Sequence, residues 1–204
     1  TYNKSKITNL LKNPDPNFKG IDVSAVGGGL TNYVAKFIVG SAPYTYYVYK
    51  QVYDPKTNKP IDGVFEDINR DGKIDDNDRY LYKKPAPDVL LGISTQVTYK
   101  QWSFGATAHG SFGGYLYDQY SSNNGVLRAL KNPLNFVQNG APNYLETQFT
   151  GTNVNEYLSD YYVQNASFFR LDNINVGYNA GKILHKKASM RLLASVQNVF
   201  IISK

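Results

Sequence analysis

The chain contains no cysteine, which removes disulfide frameworks, thiol chemistry and thiolate-bound zinc from consideration. Histidine is almost as scarce. Only His109 and His185 occur among 204 residues, and neither belongs to an arguable serine, histidine and aspartate set. Adjacent carboxylates such as Asp75 and Asp76 fall inside one acidic loop, so an acid/base pair for glycoside cleavage has no independent support and no enzymatic activity is expected. Charge is sparse as well: Asp, Glu, Lys and Arg make up 19%, and the net charge of +6 is scattered over Lys83-Lys84, Lys182 and His185-Lys186-Lys187. Without a long basic stretch, nucleic acid is not an expected partner. No signal peptide opens the chain, and no apolar run approaches the roughly 18 residues of a membrane-crossing helix. A helical membrane protein is therefore excluded, while a β-barrel stays open.

What is abundant is tyrosine, with 18 copies, and alternation. From Val89 the residues Val89, Leu91, Ile93, Thr95, Val97 and Tyr99 share one face, against Leu90, Gly92, Ser94, Gln96, Thr98 and Lys100. Trp102, Phe104, Ala106, Ala108, Gly110 and Phe112 oppose Ser103, Gly105, Thr107, His109 and Ser111 in the same way. Ile174, Val176 and Tyr178 repeat the pattern, as do Met190, Leu192, Ala194 and Val196. A period of two is strand, with successive side chains on opposite faces. The sequence predicts strands near residues 40–53, 89–100, 102–118, 167–179 and 188–201, each pairing with its neighbour along the chain. Segments of about ten residues with aromatics near their ends suit transmembrane strands, but a soluble sandwich alternates too.

Asp67-Ile-Asn-Arg-Asp-Gly-Lys-Ile-Asp-Asp-Asn-Asp78 sets oxygen side chains at loop positions 1, 3, 5, 9 and 12 around Gly72. That is the ligand spacing of an EF-hand calcium loop, with Asp67, Asn69, Asp71, the Lys73 carbonyl, Asp75 and Asp78 as donors and Ile74 expected to pack inward. Position 12 is Asp rather than the usual bidentate Glu. The flanks read as strands, not helices, so the loop is a β-to-β connection rather than part of an EF-hand protein. Calcium is expected as a structural ion; an Asp/Asn-rich turn that binds nothing is the bland alternative.

Connection lengths favour the barrel over the sandwich. Lys100-Gln101 is a tight turn and residues 179–187 are a short basic link, whereas residues 55–88 and 121–166 are long. Short turns at one end and long loops at the other mark outer-membrane barrels, whose long loops are extracellular.

The stretch from Asp67 to Asp78, Lys84-Pro-Ala-Pro87, Gly92, Tyr99-Lys100 and Gly110-Ser-Phe-Gly-Gly-Tyr-Leu-Tyr117 resembles the C-terminal barrel region of SusC/RagA-like TonB-dependent transporters. Residues 166–178 and 195–204 resemble late strands of that barrel, and Tyr2-Asn-Lys-Ser-Lys-Ile7 a strand end before it. The resemblance implies an all-β fold, part of a large up-and-down antiparallel transmembrane β-barrel of 22 strands, of which residues 1–204 supply about five. Plug, earlier strands and closing strand are expected to lie outside the chain. It further implies import of oligosaccharides or peptides across the outer membrane of a Gram-negative bacterium. Its expected partners are a SusD-like surface lipoprotein, TonB acting through a region absent here, substrate and outer-membrane lipid. The rival reading is a secreted, calcium-stabilised β-sandwich for adhesion or glycan binding. Tyrosines 44, 46, 47, 49 and 53 are expected in an interfacial aromatic girdle, with stacking on sugars as the alternative.

Overall fold

The structure is a computed structural model describing residues 1–10, 18–26, 32–131, 136, 138–183 and 188–203, apart from the side chains of residues 154 and 183. In chain order the strands are β1 (Ile21–Ala25), β2 (Tyr33–Phe37), β3 (Thr45–Tyr49), β4 (Gln51–Tyr53), β5 (Pro60–Phe65), β6 (Arg79–Leu81), β7 (Val89–Tyr99) and β8 (Trp102–Phe112). After β9 (Tyr115–Tyr117) come three short helices, α1 (Gln119–Asn124), α2 (Leu127–Leu130) and α3 (Tyr144–Thr147), then β10 (Val163–Asn165), β11 (Phe168–Ile183) and β12 (Ala188–Ser203). The chain divides into two compact units, one of residues 1–3, 86–114 and 165–204, the other of residues 4–85 and 115–164.

The first unit is an antiparallel sheet in the order β12-β11-β8-β7. The Lys100-Gln101 turn sets Val97 opposite Phe104 and Tyr99 opposite Trp102, so odd residues of β7 and even residues of β8 share a face as expected. Tyr178, Val176 and Ile174 of β11 continue that face, followed by Leu192, Ala194 and Val196 of β12. It is apolar and open: Val97 is 56% exposed and Leu192 53%. On the other face Asn173 donates to Ser195 Oγ at 3.1 Å and Asn175 donates to Asn173 Oδ1 at 3.0 Å. A soluble sheet would bury the apolar face. Here the two faces differ in polarity, and the apolar one is exposed.

A bulge keeps the faces in phase. Between Leu171 and Asn173, β11 carries one residue more than β8, which moves its apolar side chains from odd positions (Phe169, Leu171) to even ones (Ile174, Val176, Tyr178). Opposite that point β12 has one residue more again, with Asn198 at a φ of +52°. At the tight-turn end Tyr99 and Trp102 are exposed and the Trp102 and Tyr178 rings lie 4.8 Å apart, giving the sheet an aromatic rim. At the other end Thr1 and Asn3 bond to Leu90 and Asp88 and Tyr2 bridges Val89, so the amino terminus begins another antiparallel partner for β7. Of the basic link predicted after Asn179, β11 occupies the part up to Ile183; residues 184–187, with His185, lie outside the described residues.

The second unit holds a β1-β2-β3-β6 sheet, a β4-β5 pair and a β9-β10 pair. Val34, Val48, Tyr49, Phe65 and Leu158 form its main core, with Val126, Phe149 and Tyr162 in a smaller one. The long strand expected over 40–53 is instead two short strands here, and β3 pairs with β2 and β6 rather than with β7. Its tyrosines are not a girdle: Tyr46 and Tyr49 are core residues, and the Tyr47 ring receives Lys36 and Arg79 at 4.4 and 4.5 Å. Among the described residues, four of the five expected long strands are present. The 121–166 connection is also structured, beginning with α1, where the Asp118 side chain accepts from the Ser121 N–H at 2.9 Å as an N-cap.

Sidedness makes a direct test. In the full-length protein, Phe104→Lys places a charge on the apolar face and is expected to cost ~2–4 kcal/mol at mid-bilayer, whereas Thr107→Lys on the polar face is expected to cost close to nothing. The folded fraction read from heat-dependent gel mobility should fall for the first variant only.

Candidate functional site

The acidic loop leaves β5 at Phe65 and returns in β6 at Arg79. Its path is drawn by short side-chain acceptors folding back on their own backbone. Asp67 accepts from the N–H groups of Arg70 at 2.6 Å and Gly72 at 2.8 Å. Asn69 Oδ1 accepts from the Asp71 N–H, and Asp71 Oδ1 from the Lys73 N–H, both at 2.9 Å. Gly72 sits at a φ of +82°, where a Cβ would find space but a strained backbone, which is the turn role expected of it. Asp75 caps the single 3-10 turn Asp76–Asp78, its Oδ1 accepting from the Asn77 N–H at 2.7 Å.

Asp78 is the centre of this arrangement. It is fully buried, and its carboxylate accepts from the N–H groups of Ile68 at 2.9 Å, Asn69 at 3.2 Å and Asp75 at 2.9 Å, tying the start of the loop to its end. Ile74, expected to pack inward, is exposed; the inward position belongs to Asp78. The following Arg79 anchors the exit: its guanidinium donates to the carbonyls of Tyr33 and Tyr47, lies over the Tyr47 ring and sits 3.6 Å from Asp76 Oδ1. At the entrance Lys50 pairs with Glu66 at 2.5 Å.

All five oxygen side chains of the predicted ligand set thus lie on one loop, each engaged with backbone N–H groups, and Lys73 stands among them with its N–H on Asp71. A carboxylate offers about four lone-pair sites, so these bonds leave acceptor capacity on each. Among the described residues no group of three or more His, Asp or Glu side chains converges as a metal cage.

Residues missed by sequence reasoning hold the loops of this unit. Asp160 accepts from the Gln51 N–H at 3.0 Å and the Tyr80 hydroxyl at 2.7 Å, and Gln51 Oε1 accepts from Ser159 Oγ at 3.0 Å. Burial pushes Asp160 above the usual carboxylate range against those hydrogen bonds, and burial, followed by the Asp160 contact, raises the Tyr80 phenol. On the polar face of the β12-β11-β8-β7 sheet, His109 Nδ1 is 2.6 Å from Asp172 Oδ2 and Arg170 Nε is 3.4 Å from Asp172 Oδ1. The bulge at residue 172 presents that carboxylate to both, a placement that the plain alternation of the strand does not announce.

The chain is similar, along its entire length, to the TonB-dependent receptor SusC of Bacteroides thetaiotaomicron, with 35% identity over 211 residues. It is also similar, at 27% identity over 214 residues and 97% of the chain, to the TonB-dependent receptor P3 of Formosa agariphila. It spans about a fifth of the length of these relatives, 20% and 21%. Among solved structures, all of it superposes on the RagAB peptide transporter with a TM-score of 0.64, and on the closed-closed state of the RagAB peptide importer with 0.61. Both share 18% identity and are covered to 23%, a likeness of fold. No protein-family model matches the chain. None of these relatives is an enzyme.

Protonation of Asp78 should unlock the loop. The Asp75 N–H, with those of Asn69 and Ile68, holds its carboxyl below the ordinary 3.8 despite burial. A depressed folded-state pKa gives stability that is present above the unfolded value and lost as pH falls through the folded one, so loosening is expected only below about pH 4. Asp78→Asn should bring the same loosening at neutral pH. Cleavage of the full-length protein by trypsin after Arg70 or Lys73 is then expected to accelerate at least about tenfold; an unchanged rate would contradict this role for Asp78.

Proposed function

We propose, from the premise that this chain is SusC/RagA-like over its whole length, that it forms part of the barrel wall of an outer-membrane TonB-dependent importer. The observation that carries the reading is the four-stranded sheet whose exposed faces differ in polarity, apolar on the Val97, Phe104 and Leu192 side and hydrogen-bonding on the Asn173 and Asn175 side. Lipid suits the first face and a water-filled lumen the second. A secreted sandwich would cover the apolar face with another sheet, which makes it the weaker reading. The long connections over 55–88 and 121–166, set against the two-residue Lys100-Gln101 turn, support an extracellular position for those connections.

The cargo in this proposal is an oligosaccharide or a peptide, handled together with a SusD-like lipoprotein and driven through TonB. The likeness in fold to a peptide importer supports the peptide class. The 115–164 excursion, with exposed Tyr120 and Leu145, is the part proposed to meet the lipoprotein or the cargo. Cells lacking the full-length protein should lose uptake of its cargo, screened among labelled glycans and peptides. Dissipating the proton-motive force should reduce wild-type uptake to the level of the deletion. Uptake that survives an uncoupler would contradict the proposal.

Calcium is proposed as a structural ion of the acidic loop, drawing on Asp67, Asn69, Asp71, the Lys73 carbonyl, Asp75 and Asp78. Asp67, Asp71, Asp75 and Asp78 bring four negative charges of the ligand set into twelve residues, and a dication relieves their repulsion while fixing the loop. Calcium at a hundredfold above Kd would add about 2.7 kcal/mol of stability. In the intact transporter, Asp67→Ala with Asp71→Ala should abolish the calcium-dependent rise in Tm of this loop; identical wild-type melting in calcium and in chelator would sink the assignment.

A further inference from the structure

The polar face of the β12-β11-β8-β7 sheet changes character along its strands. From the bulge toward the Lys100-Gln101 turn it carries neutral Asn173, Asn175 and Ser195, joined to one another by hydrogen bonds. On the other side of the bulge a single row crosses all four strands, with Gly92 opposite His109, His109 opposite Arg170 and Arg170 opposite Ile201. Directly opposed residues share a face, with Cβ atoms about 5 Å apart. Phe168, two residues before Arg170, lies on that face too, and its ring stands edge-on to the His109 ring with centroids 5.4 Å apart.

The ion pairs of this row use only part of each side chain. Asp172 engages one neighbour with each oxygen: Oδ2 lies 2.6 Å from His109 Nδ1, and Oδ1 lies 3.4 Å from Arg170 Nε. An ionised carboxylate only accepts, so Nδ1 of His109 carries the proton, and Nε2 of the neutral ring is an acceptor. Arg170 also donates from Nη2 to Asn198 Oδ1. Among the described residues neither Arg170 Nη1 nor His109 Nε2 has a hydrogen-bond partner. Both side chains are accessible, His109 to 46% and Arg170 to 39%. Beside His109 the row is open, because a Cβ at Gly92 would meet nothing within 4 Å. At its other end Ile201 is 58% exposed.

One carboxylate thus holds a donor and an acceptor side by side, next to an aromatic ring and an exposed aliphatic side chain. A peptide unit matches that set: its carbonyl accepts from Arg170 Nη1, its N–H donates to His109 Nε2, and an apolar side chain lies against Phe168 or Ile201. A sugar ring could satisfy the polar pair and stack on Phe168, but its hydroxyls find no partner at Ile201. We propose that His109, Phe168, Arg170 and Ile201 form a peptide-binding subsite on the polar face, with the cargo chain entering the open space at Gly92. The subsite rests on the import reading, in which short turns are periplasmic and the row lies nearer the outer end of the strands.

The test uses cells carrying the full-length protein, with uptake of radiolabelled casein hydrolysate and of radiolabelled plant-polysaccharide hydrolysate measured against concentration. Arg170→Met and Gly92→Val should each raise the half-saturating concentration of the casein peptides at least about fivefold and leave the maximal rate unchanged, the pattern of lost binding. Should Arg170→Met misfold, as read from heat-dependent gel mobility, Gly92→Val decides, since it removes no contact and Val suits a strand. Ion pairs that only steady the bulge would leave Gly92→Val at the wild-type value, and that result would overturn the proposal. A shift confined to the polysaccharide fragments would overturn it in favour of a glycan contact. Wild-type cells that import neither hydrolysate would overturn the import reading and this inference with it, whereas a wild-type response in variants of an active importer overturns this inference alone.

Discussion

Continuous antiparallel pairing across β7, β8, β11 and β12 is the constraint from which the remaining features of the sheet follow. In hydrocarbon every strand N–H and C=O must find a partner within the sheet, which rules out a gap in the ladder but says nothing about side chains. The side chains impose a second condition, that one face stay apolar through all four strands. A register slip of one residue in any of them would exchange Val176 and Gly177, or Phe104 and Ser103, between faces. The extra residue at Asp172 satisfies both conditions at once, since the ladder resumes at Asn173 and the apolar residues resume at Ile174. By leaving Asp172 at the irregularity, it also brings a carboxylate to His109 and Arg170 on the polar face.

The other unit works on a different principle. Its strands are three to six residues long, too short to define long connections by ladder alone, and buried or half-buried acids take over that task. Asp78 joins the two ends of the acidic loop, Asp160 joins β4 to Tyr80 of β6, and Asp62 and Glu156 hold residues 150–153. In each case a carboxylate accepts from backbone N–H groups that would otherwise be orphaned in a loop. Such bonds fix the geometry of the loops beside the two small apolar cores of the unit.

The long strands β7, β8 and β12 were legible because a two-residue period survives in sequence whatever surrounds it, and the Lys100-Gln101 turn sets their register. The start of β11 was legible near 167, but its alternation only from Ile174 onward, because Phe169 and Leu171 lie on the far side of a parity change that reads as a break in alternation. The tyrosine-rich run from 44 to 53 misled for a physical reason: strand propensity reports a fit to a pleated surface and is indifferent to whether that surface meets lipid or a protein core. Tyr46 and Tyr49 face a core. The turn at Gly72 was readable from spacing, while the burial of Asp78 in place of Ile74 was not, since the N–H groups it collects come from both ends of the loop. Gln51 and Asp160 are 109 residues apart, and nothing local in either neighbourhood marks their contact.

The acids of the second unit respond to protons in opposite senses. Asp78 is held low by hydrogen bonds that outweigh its burial, so acidification removes the stability it contributes. Asp160 and Glu156 are pushed up chiefly by burial, so their folded forms take up protons more readily than the unfolded chain does, and acidification through their raised values favours the fold at those points. A single acid transition cannot then describe the unit. The acidic loop is its acid-labile part, whereas the Asp160 and Glu156 contacts are limited at neutral pH by the charge they bury. Neutral conditions favour the loop and burden the buried carboxyls of Asp160 and Glu156.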